Sequence, residues 1–458
     1  MTFAHLLSFP VDLSASNGSV VEFFLRRGVV KIAEFPKTLY NLFLMATFRP
    51  FRGVRPLPGN VAAVASRPYD VLNSEEARGE AEGNPLSFLH VVKPEIDLPT
   101  DVDPYGDEVY AKGRENFVRL MEEGQMKRDE EPSYYLYRLT MDGRSQTGVV
   151  GCCLVDEYFD GSIKKHELTR PVKEDDRVRH VETLNANAEP VFFSYRGNNS
   201  IDGFVSEHLS GTPVYDFTSE DGIRHEFWAV SDSAEVSRLE SLFAEVPALY
   251  VADGHHRTAA AARVGKERRE ANPNHDGSEE YNFFLAVLFP DDQLKIFDYN
   301  RVVTDLNGLS EEEFLAKLEN SFEITPSADG ACRPSGMREF GLYMKGSWFR
   351  LRAKEGAWND DDPIGALDVT VLSDHVLEPI LGITDLRRDK RIDFVGGIRG
   401  LSELERRVDS GEMAVAFALH PVSMEQLLTI ADADQIMPPK TTWFEPKLRS
   451  GLVVHELG

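Results

Sequence analysis

The sequence of 458 residues lacks the nucleotide-binding and zinc-binding motifs whose spacing is most restrictive. No GxxxxGK[ST] motif is present, which excludes a P-loop, and no GxGxxG follows an expected strand, which argues against a dinucleotide-binding fold. His166-Glu167 begins like the zinc motif HExxH, but Arg170 stands where the second histidine would be. A binding or catalytic function must therefore rest on other residues.

Cysteine and long apolar runs are scarce. The three cysteines (Cys152, Cys153 and Cys332) are too few for a disulfide framework, and the vicinal pair fits small core residues in a reducing compartment. No apolar run approaches the roughly 20 residues that a membrane-spanning helix needs. The sequence therefore predicts a cytoplasmic protein without a membrane partner.

Positive charge is also in short supply. The chain carries 76 Asp and Glu against 50 Lys and Arg, a formal net charge of -26. This balance repels a phosphate backbone, so we expect no nucleic-acid partner. The hydrophobic fraction of 42% and the length are sufficient for two or three packed domains.

The periodicity of apolar residues predicts strands and helices that follow one another without strict βαβ order. This irregular order favours the α+β class. The expected elements include two strands joined at Asp142-Gly143, an amphipathic helix over residues 105–125, a hairpin over residues 281–300 and a helix from Ser310 to Leu318 that opens with a capping box.

We divide the chain into residues 1–44, 45–130, 131–300 and 301–458. The first 44 residues could be an accessory segment, an organelle-targeting peptide or the product of a misplaced start codon. Asp12, Glu22 and Glu34 argue against a targeting peptide, which is poor in acidic residues. Met45 opens a stretch that reads like a natural protein start, so we expect an extension that is dispensable for function.

The most informative stretch is DGHHR, residues 253–257, here called the DGHHR turn. It follows an apolar run over 248–252 that predicts a buried strand, and an alanine-rich helix is expected from about Thr258. At such a turn the first backbone N–H groups of the helix lack partners and attract anions, and Gly254 permits a close approach. Arg257 and the histidines can then bind phosphate oxygens or move protons. A surface turn with two chance histidines is the alternative.

Two further polar segments allow two interpretations each. Residues 164–180 could form a substrate loop, with Glu167 as a general base or metal ligand, or a solvated helix of alternating charge, which composition alone favours. Residues 437–451, here called the C-terminal segment, follow an extended path because of their prolines. Their lysines, threonines and aromatic residue could contact a nucleotide, but a terminal strand tied across the core would look the same.

Five motifs, in this order along the chain, resemble the family catalogued as DUF1015. The resemblance runs from about residue 45 to the C-terminus and leaves residues 1–44 outside. The motifs are Phe51-Arg52-Gly53-Val54-Arg55-Pro56, Arg67-Pro68-Tyr69-Asp70, His166-Glu167-Leu168-Thr169-Arg170-Pro171 with Asp176-Arg177, the DGHHR turn, and Met437-Pro438-Pro439-Lys440 with Phe444-Glu445-Pro446-Lys447.

The strand, DGHHR turn and helix are also similar to the nucleotide-phosphate site of the ParB/sulfiredoxin superfamily. That superfamily includes chromosome-partitioning nucleotidases, sulfiredoxin and kinases of free serine. The resemblance implies a mixed-sheet core of this type within residues 131–300, with flanking helices and additional α+β elements. His255 stands where sulfiredoxin has its reactive cysteine, and no helix-turn-helix pattern supports DNA binding. Of the three kinds of member named, the kinases of free serine are the ones that remain.

The resemblance therefore implies a kinase that uses ATP or ADP with Mg²⁺ to phosphorylate a small hydroxyl-bearing metabolite, with free L-serine as the leading acceptor. The assembly could be a homodimer. A non-catalytic nucleotide sensor and a nucleotide hydrolase stay open as alternatives.

The same resemblance assigns roles to individual residues. Glu167 would be the general base, with a pKa lowered by nearby arginines. His255 or His256 would be the competing base, and Asp253 the Mg²⁺ ligand. The nucleotide phosphates would contact Gly254, His255, His256, Arg257 and Thr258. The substrate side would comprise Arg67, Tyr69, Arg170, Lys173, Asp176, Arg177, Asn187, Lys440, Thr441 and Lys447, the last three in the C-terminal segment that returns to the site.

Overall fold

A computed structural model describes residues 20–25, 28–33, 46–328 and 330–458. Most of the expected extension, residues 1–44, lies outside the described residues. Within it, Val20–Leu25 and Gly28–Ala33 form an antiparallel pair of strands. The protein is α+β, as predicted, with a mixed sheet at its centre. In the described ranges, no helix is both long and apolar enough to cross a membrane.

The large sheet is mixed and nine-stranded. Its strands run in spatial order Tyr215–Thr218, Arg224–Val230, Tyr134–Met141, Arg144–Leu154, Phe283–Pro290, Val191–Tyr195, Leu249–Asp253 and Ile163–Lys164, and Phe48–Arg49 pairs with Arg144–Leu154. The pairs Val191–Tyr195 with Phe283–Pro290 and Leu249–Asp253 with Ile163–Lys164 are parallel.

Both faces of the large sheet are covered, which explains its continuous apolar runs. All eight residues of Phe283–Pro290 are buried. Because side chains alternate across a strand, Leu285 and Val287 enter one core cluster while Phe284 and Ala286 enter another. The strand Leu249–Asp253 that ends at the DGHHR turn pairs with Val191–Tyr195 on one side and with the short edge strand Ile163–Lys164 on the other.

Of the two predicted hairpins, one is confirmed and one is wrong. The hairpin joined at Asp142-Gly143 is confirmed, and both turn residues have positive φ (52° and 76°), as a two-residue turn that matches strand twist requires. The prediction of a hairpin over residues 281–300 is wrong. Phe283–Pro290 pairs inside the large sheet, whereas Tyr299–Val303 belongs to a second sheet. Apolar periodicity identifies strands but not their partners.

The second sheet has six antiparallel strands. They run in spatial order Phe322–Pro326, Ser347–Ala353, Glu339–Met344, Val415–Leu419, Tyr299–Val303 and Ile392–Gly396. Its face that carries Leu342 and Phe417 joins the same core cluster as Val287 of the large sheet, so one apolar core connects the two sheets. Three described two-stranded pairs complete the strands: Val54–Pro56 with Met126–Arg128, Ala186–Asn187 with His455–Glu456, and Ile296–Phe297 with Trp443–Phe444.

The helices surround these sheets. The predicted helix over 105–125 is confirmed as Asp107–Glu122, and the capping box at Ser310 opens Glu311–Leu318. The other described α-helices are Val61–Val64, Ser74–Glu80, Leu89–Val92, Asp156–Asp160, Pro171–Leu184, Asn199–Leu209, Ser233–Phe243, His255–Ala271, Asp368–Leu372, Leu401–Asp409 and Met424–Asp432.

Candidate functional site

The DGHHR turn joins a buried strand directly to a helix. Leu249–Asp253 ends at Asp253, Gly254 adopts a left-handed conformation (φ 89°, ψ 32°), and helix His255–Ala271 begins at the next residue. The expected start near Thr258 is therefore wrong, since the glycine reverses the chain early enough for both histidines and Arg257 to form the first helical turn. Successive residues on a helix diverge by about 100°, so these three side chains point in different directions.

Gly254 is required for this geometry. A Cβ atom added there would lie 3.1 Å from Nε of Arg257, and φ 89° lies in a region that side-chain-bearing residues rarely adopt. We expect Gly254→Ala to lower the free energy of unfolding by about 1–2 kcal/mol. Urea unfolding checks this value, with Gly203→Ala in helix Asn199–Leu209 as the control, because a Cβ there meets open space. Equal stability of Gly254→Ala and the parent protein would contradict it.

A cavity of about 470 Å³ opens beside the first helical turn. Its volume lies within the usual range of small-molecule sites, about 300–1,000 Å³. Its lining residues come from five parts of the chain: Tyr69, Asp70, Leu72, Asn73 and Ser74; Val92, Lys93, Glu95, Pro104 and Tyr105; Glu167, Arg170, Lys173, Asp176 and Arg177; His256; and Lys440.

The cavity is richer in positive charge than the rest of the chain. Five basic and four acidic side chains line it, although acidic residues outnumber basic ones 76 to 50 overall. Two of its pairs neutralise each other: Lys93 with Glu95 at 3.0 Å, and Arg177 with Asp176 at 2.9 Å. The remaining lining charges are three cations, Arg170, Lys173 and Lys440, and two carboxylates, Asp70 and Glu167. This surplus suits an anionic ligand.

Glu167 lies half-buried in the cavity wall. Burial raises the pKa of its carboxyl group, Lys440 opposes the rise, and Asp253 adds to it. The predicted lowering of this pKa by arginines is therefore wrong, because desolvation outweighs the attraction of the nearby cations. A carboxylate with a raised pKa is a stronger base, which favours proton transfer near neutral pH.

His256 is the member of the DGHHR turn that faces the cavity. Its Nε2 accepts a hydrogen bond of 3.0 Å from the backbone N–H of Arg170. Burial lowers the pKa of His256, so the ring is neutral at pH 7 with its proton on Nδ1. The bond joins Arg170, the residue before helix Pro171–Leu184, to the start of helix His255–Ala271.

The rest of the turn lies behind the cavity wall. Arg257 is 8% exposed, and its Nη1 donates to the carbonyl oxygen of Pro190 at 2.8 Å. His255 is also 8% exposed, with its ring 4.5 Å from that of His166. Burial lowers the pKa of His255 well below its ordinary value. In this conformation neither side chain reaches the cavity lining.

Asp253 is half-buried beside this layer, and its two cationic partners do not suit a Mg²⁺ site. Nζ of Lys447 donates to its Oδ2 at 3.2 Å, and Nη2 of Arg257 lies 3.9 Å from the same atom. Burial alone would raise the pKa of Asp253, but these two cations lower it well below its ordinary range. Among the described residues, no group of three or more His, Cys, Asp or Glu side chains could hold a metal ion. We therefore assign no metal to Asp253.

Four other expected site residues make internal contacts instead. Arg67 pairs with Glu80, and Asn187 accepts from the backbone N–H of Leu285 at 3.3 Å. The hydroxyl groups of the two threonines also bond locally: Thr258 Oγ1 donates to Gly254 O at 3.0 Å, and Thr441 Oγ1 to Pro438 O at 2.6 Å.

Eight expected site residues do meet around the cavity: Tyr69, Glu167, Arg170, Lys173, Asp176, Arg177, His256 and Lys440. Sequence reasoning missed Asp70, Lys93, Glu95 and Tyr105 as lining residues. Asp70 ends the Arg67-Pro68-Tyr69-Asp70 motif, so its position was the available signal. The other three carry no local motif and reach the cavity only through packing.

The chain resembles several solved structures at a distance. A conserved hypothetical protein from Pyrococcus furiosus has 13% identity and a TM-score of 0.33, and the match covers 66% of this chain and 93% of that one. A free serine kinase in complex with AMP has 12% identity, a TM-score of 0.33 and coverage of 65% and 86%. SbnI with a C-terminal truncation, from Staphylococcus aureus, has 10% identity, a TM-score of 0.32 and coverage of 65% and 82%.

No curated protein matches the chain. A family model described as "Protein of unknown function (DUF1015)" matches residues 48–370. This match spans more than half of the sequence and confirms the resemblance for the four motifs between residues 48 and 370, whereas the motif at residues 437–447 lies outside it. The chain therefore belongs to the DUF1015 family.

Proposed function

We propose that the protein is a nucleotide-dependent kinase of a small hydroxyl-bearing metabolite, with free L-serine as the leading acceptor. The observation that carries this proposal is the cavity of about 470 Å³, whose lining combines Arg170, Lys173 and Lys440 with Glu167, a carboxylate of raised pKa. The acceptor identity rests on the sequence resemblance of the DGHHR element to kinases of free serine.

The cations would bind and neutralise phosphate oxygens. Arg170 and Lys173 come from the segment around the start of helix Pro171–Leu184 and Lys440 from the C-terminal segment, so two distant parts of the chain bring positive charge to the same cavity. Phosphoryl transfer depends mainly on such positioning and charge neutralisation. Nζ of Lys173 donates to the hydroxyl of Tyr105 at 3.1 Å, which holds the ammonium group at the cavity rim.

Glu167 would act as the general base. The acceptor oxygen attacks the terminal phosphorus atom, the bond from phosphorus to the leaving nucleotide oxygen breaks, and the hydroxyl proton passes to the Glu167 carboxylate. Lys440 is the cation that most opposes the rise in the pKa of Glu167. A phosphate that engages Lys440 would therefore leave Glu167 more basic.

The direct test incubates the full chain with L-serine and the Mg²⁺ complex of ATP, ADP or CTP. We expect O-phosphoserine and the nucleotide with one phosphate fewer in equal amounts, measured by ³¹P NMR and mass spectrometry. Nucleotide binding without any product from the three donors would overturn the kinase proposal and favour a sensor. Loss of nucleotide phosphate without phosphoserine would overturn it in favour of a hydrolase.

A further inference from the structure

Arg301 is a charged side chain placed deep in the protein, and no carboxylate of the described residues forms an ion pair with it. It lies in strand Tyr299–Val303 and exposes 1% of its surface. Its guanidinium donates to two backbone carbonyl oxygens, those of Tyr299 and of Lys440, the latter at 2.9 Å. Burial lowers the pKa of Arg301 to about 10. Burying an unpaired cation is unfavourable, so its contacts call for an explanation.

Arg301 contacts the C-terminal segment at Lys440, where the backbone conformation is strained. Lys440 has φ 57°, in the left-handed region that residues with side chains seldom adopt. Such a conformation persists only where surrounding contacts hold it. Arg301 supplies one of these contacts from the second sheet. Its hydrogen bond fixes the Lys440 peptide while the Lys440 side chain extends to the cavity lining.

The same strand also holds the Lys440 side chain. Nζ of Lys440 lies 5.5 Å from the centroid of the Tyr299 ring, within the range of a cation–π contact. Tyr299 and Arg301 are two residues apart on one strand, so their side chains leave the same face of the sheet. Arg301 contacts the backbone of Lys440, and Tyr299 contacts its ammonium group.

We propose that Arg301 is a positioning residue that fixes Lys440 in the cavity through the Lys440 carbonyl oxygen. The second sheet thereby determines where one of the cavity's cations stands. The consequence for nucleotide affinity rests on the proposed function, whereas the effect on Lys440 itself does not.

The first experiment measures the rate at which an amine reagent modifies Lys440, followed by peptide mass spectrometry in the absence of nucleotide. Burial lowers the pKa of Lys440, but Tyr299, Glu167 and Asp70 more than offset this and raise it. In the Arg301→Met variant, the Lys440 side chain loses its position beside these groups. A larger fraction of it is then the free amine, which is the form that reacts. We expect modification about three- to tenfold faster, because the pKa of Lys440 falls and a larger fraction of the side chain is deprotonated.

Two variants and one internal standard make the result decisive. Arg407→Met is the control, because Arg407 is also buried beside the second sheet but pairs with Asp393 and Glu412, away from the cavity. Lys447, held by Asp253, is the internal standard and should keep its rate. Unchanged modification of Lys440, or an equal increase at Lys447, overturns the proposal. If Arg301→Met does not fold, Arg301→Lys takes its place with a smaller increase expected, and a rate equal to that of the parent protein overturns the proposal.

A double-mutant cycle separates positioning from general stability. Arg301→Met and Lys440→Met should each weaken binding of Mg-ATP, and the double variant should bind no more weakly than Lys440→Met alone. Additive losses would show that Arg301 acts by another route and would overturn the proposal. If the parent protein binds no nucleotide, the proposed function fails, and the modification rates alone then decide the role of Arg301.

Discussion

Glu167→Gln is expected to reduce turnover by roughly 10²- to 10⁴-fold while leaving nucleotide binding within a factor of about three, because a positioned general base contributes this much to a rate. Glutamine keeps the size of the side chain and removes its ability to accept the hydroxyl proton. The measurement is kcat for phosphoserine formation, alongside the dissociation constant for Mg-ATP. Glu182→Gln is the matched control, since Glu182 lies on the same helix as Arg177 and pairs with Arg268 outside the cavity.

The pH profile provides a second readout for the same residue. The base must be ionised, so activity falls as the pH drops through its pKa. Burial raises the pKa of Glu167, so the acidic limb of kcat/KM should lie above the ordinary glutamate value of about 4.3. Full activity of Glu167→Gln, or an acidic limb at the ordinary value, would show that another group takes the proton; His256 is then the next candidate, because it also lines the cavity.

Arg257→Met is expected to lower the free energy of unfolding by about 3 kcal/mol, the cost of removing one partner from a buried charge cluster. Arg257 lies 3.9 Å from both Asp70 and Asp253 and bonds to the carbonyl oxygen of Pro190. Methionine would leave that carbonyl without its donor, and of the two cations within 4 Å of Asp253 among the described residues, Lys447 would remain. Urea unfolding at pH 7 measures the loss.

The control for Arg257→Met lies further along the same helix. Arg263 is 40% exposed and pairs with Asp175 and Glu267, so Arg263→Met should cost less than about 1 kcal/mol. A stable Arg257→Met variant that loses nucleotide affinity would contradict the structural role of this residue and return it to phosphate binding.

The stability difference between the parent protein and Arg257→Met should also depend on pH. Lys447 and Arg257 offset the effect of burial and keep the pKa of Asp253 below its ordinary range. The resulting stabilisation is complete above the unfolded-state pKa of about 3.9 and is lost as the pH falls towards the folded-state value. The difference in the free energy of unfolding should therefore be constant from about pH 5 to about pH 8 and shrink below about pH 4.

Much of the fold could be predicted because its signals are local. A two-residue turn with positive φ at Asp142 and Gly143 determines its hairpin, and the capping box at Ser310 determines where its helix begins. The partner of a fully apolar strand is not a local property. Phe283–Pro290 was therefore assigned to the wrong hairpin, although it was correctly predicted to be a strand.

The site shows the same division between local and long-range information. Sequence motifs identified eight of the residues that meet around the cavity, among them Glu167, Arg170 and Lys440. Lys93 and Tyr105 lie outside the helices and reach the cavity only because segments distant in sequence pack beside residues 167–177. The sequence also could not predict the direction in which the pKa of Glu167 shifts. Burial is a tertiary property, and here it outweighs the effect of the nearby charges that the sequence shows.

By itself, the sequence determined the family, the α+β class and the strand-to-helix turn at residues 253–257, because these depend on residue order and local conformation. Only the tertiary structure decided which side chains of that turn face a ligand. His256 lines the cavity, whereas Arg257 lies behind its wall. The reason is that adjacent residues of a helix point about 100° apart, and the packing of the surrounding sheet selects which direction meets the open space.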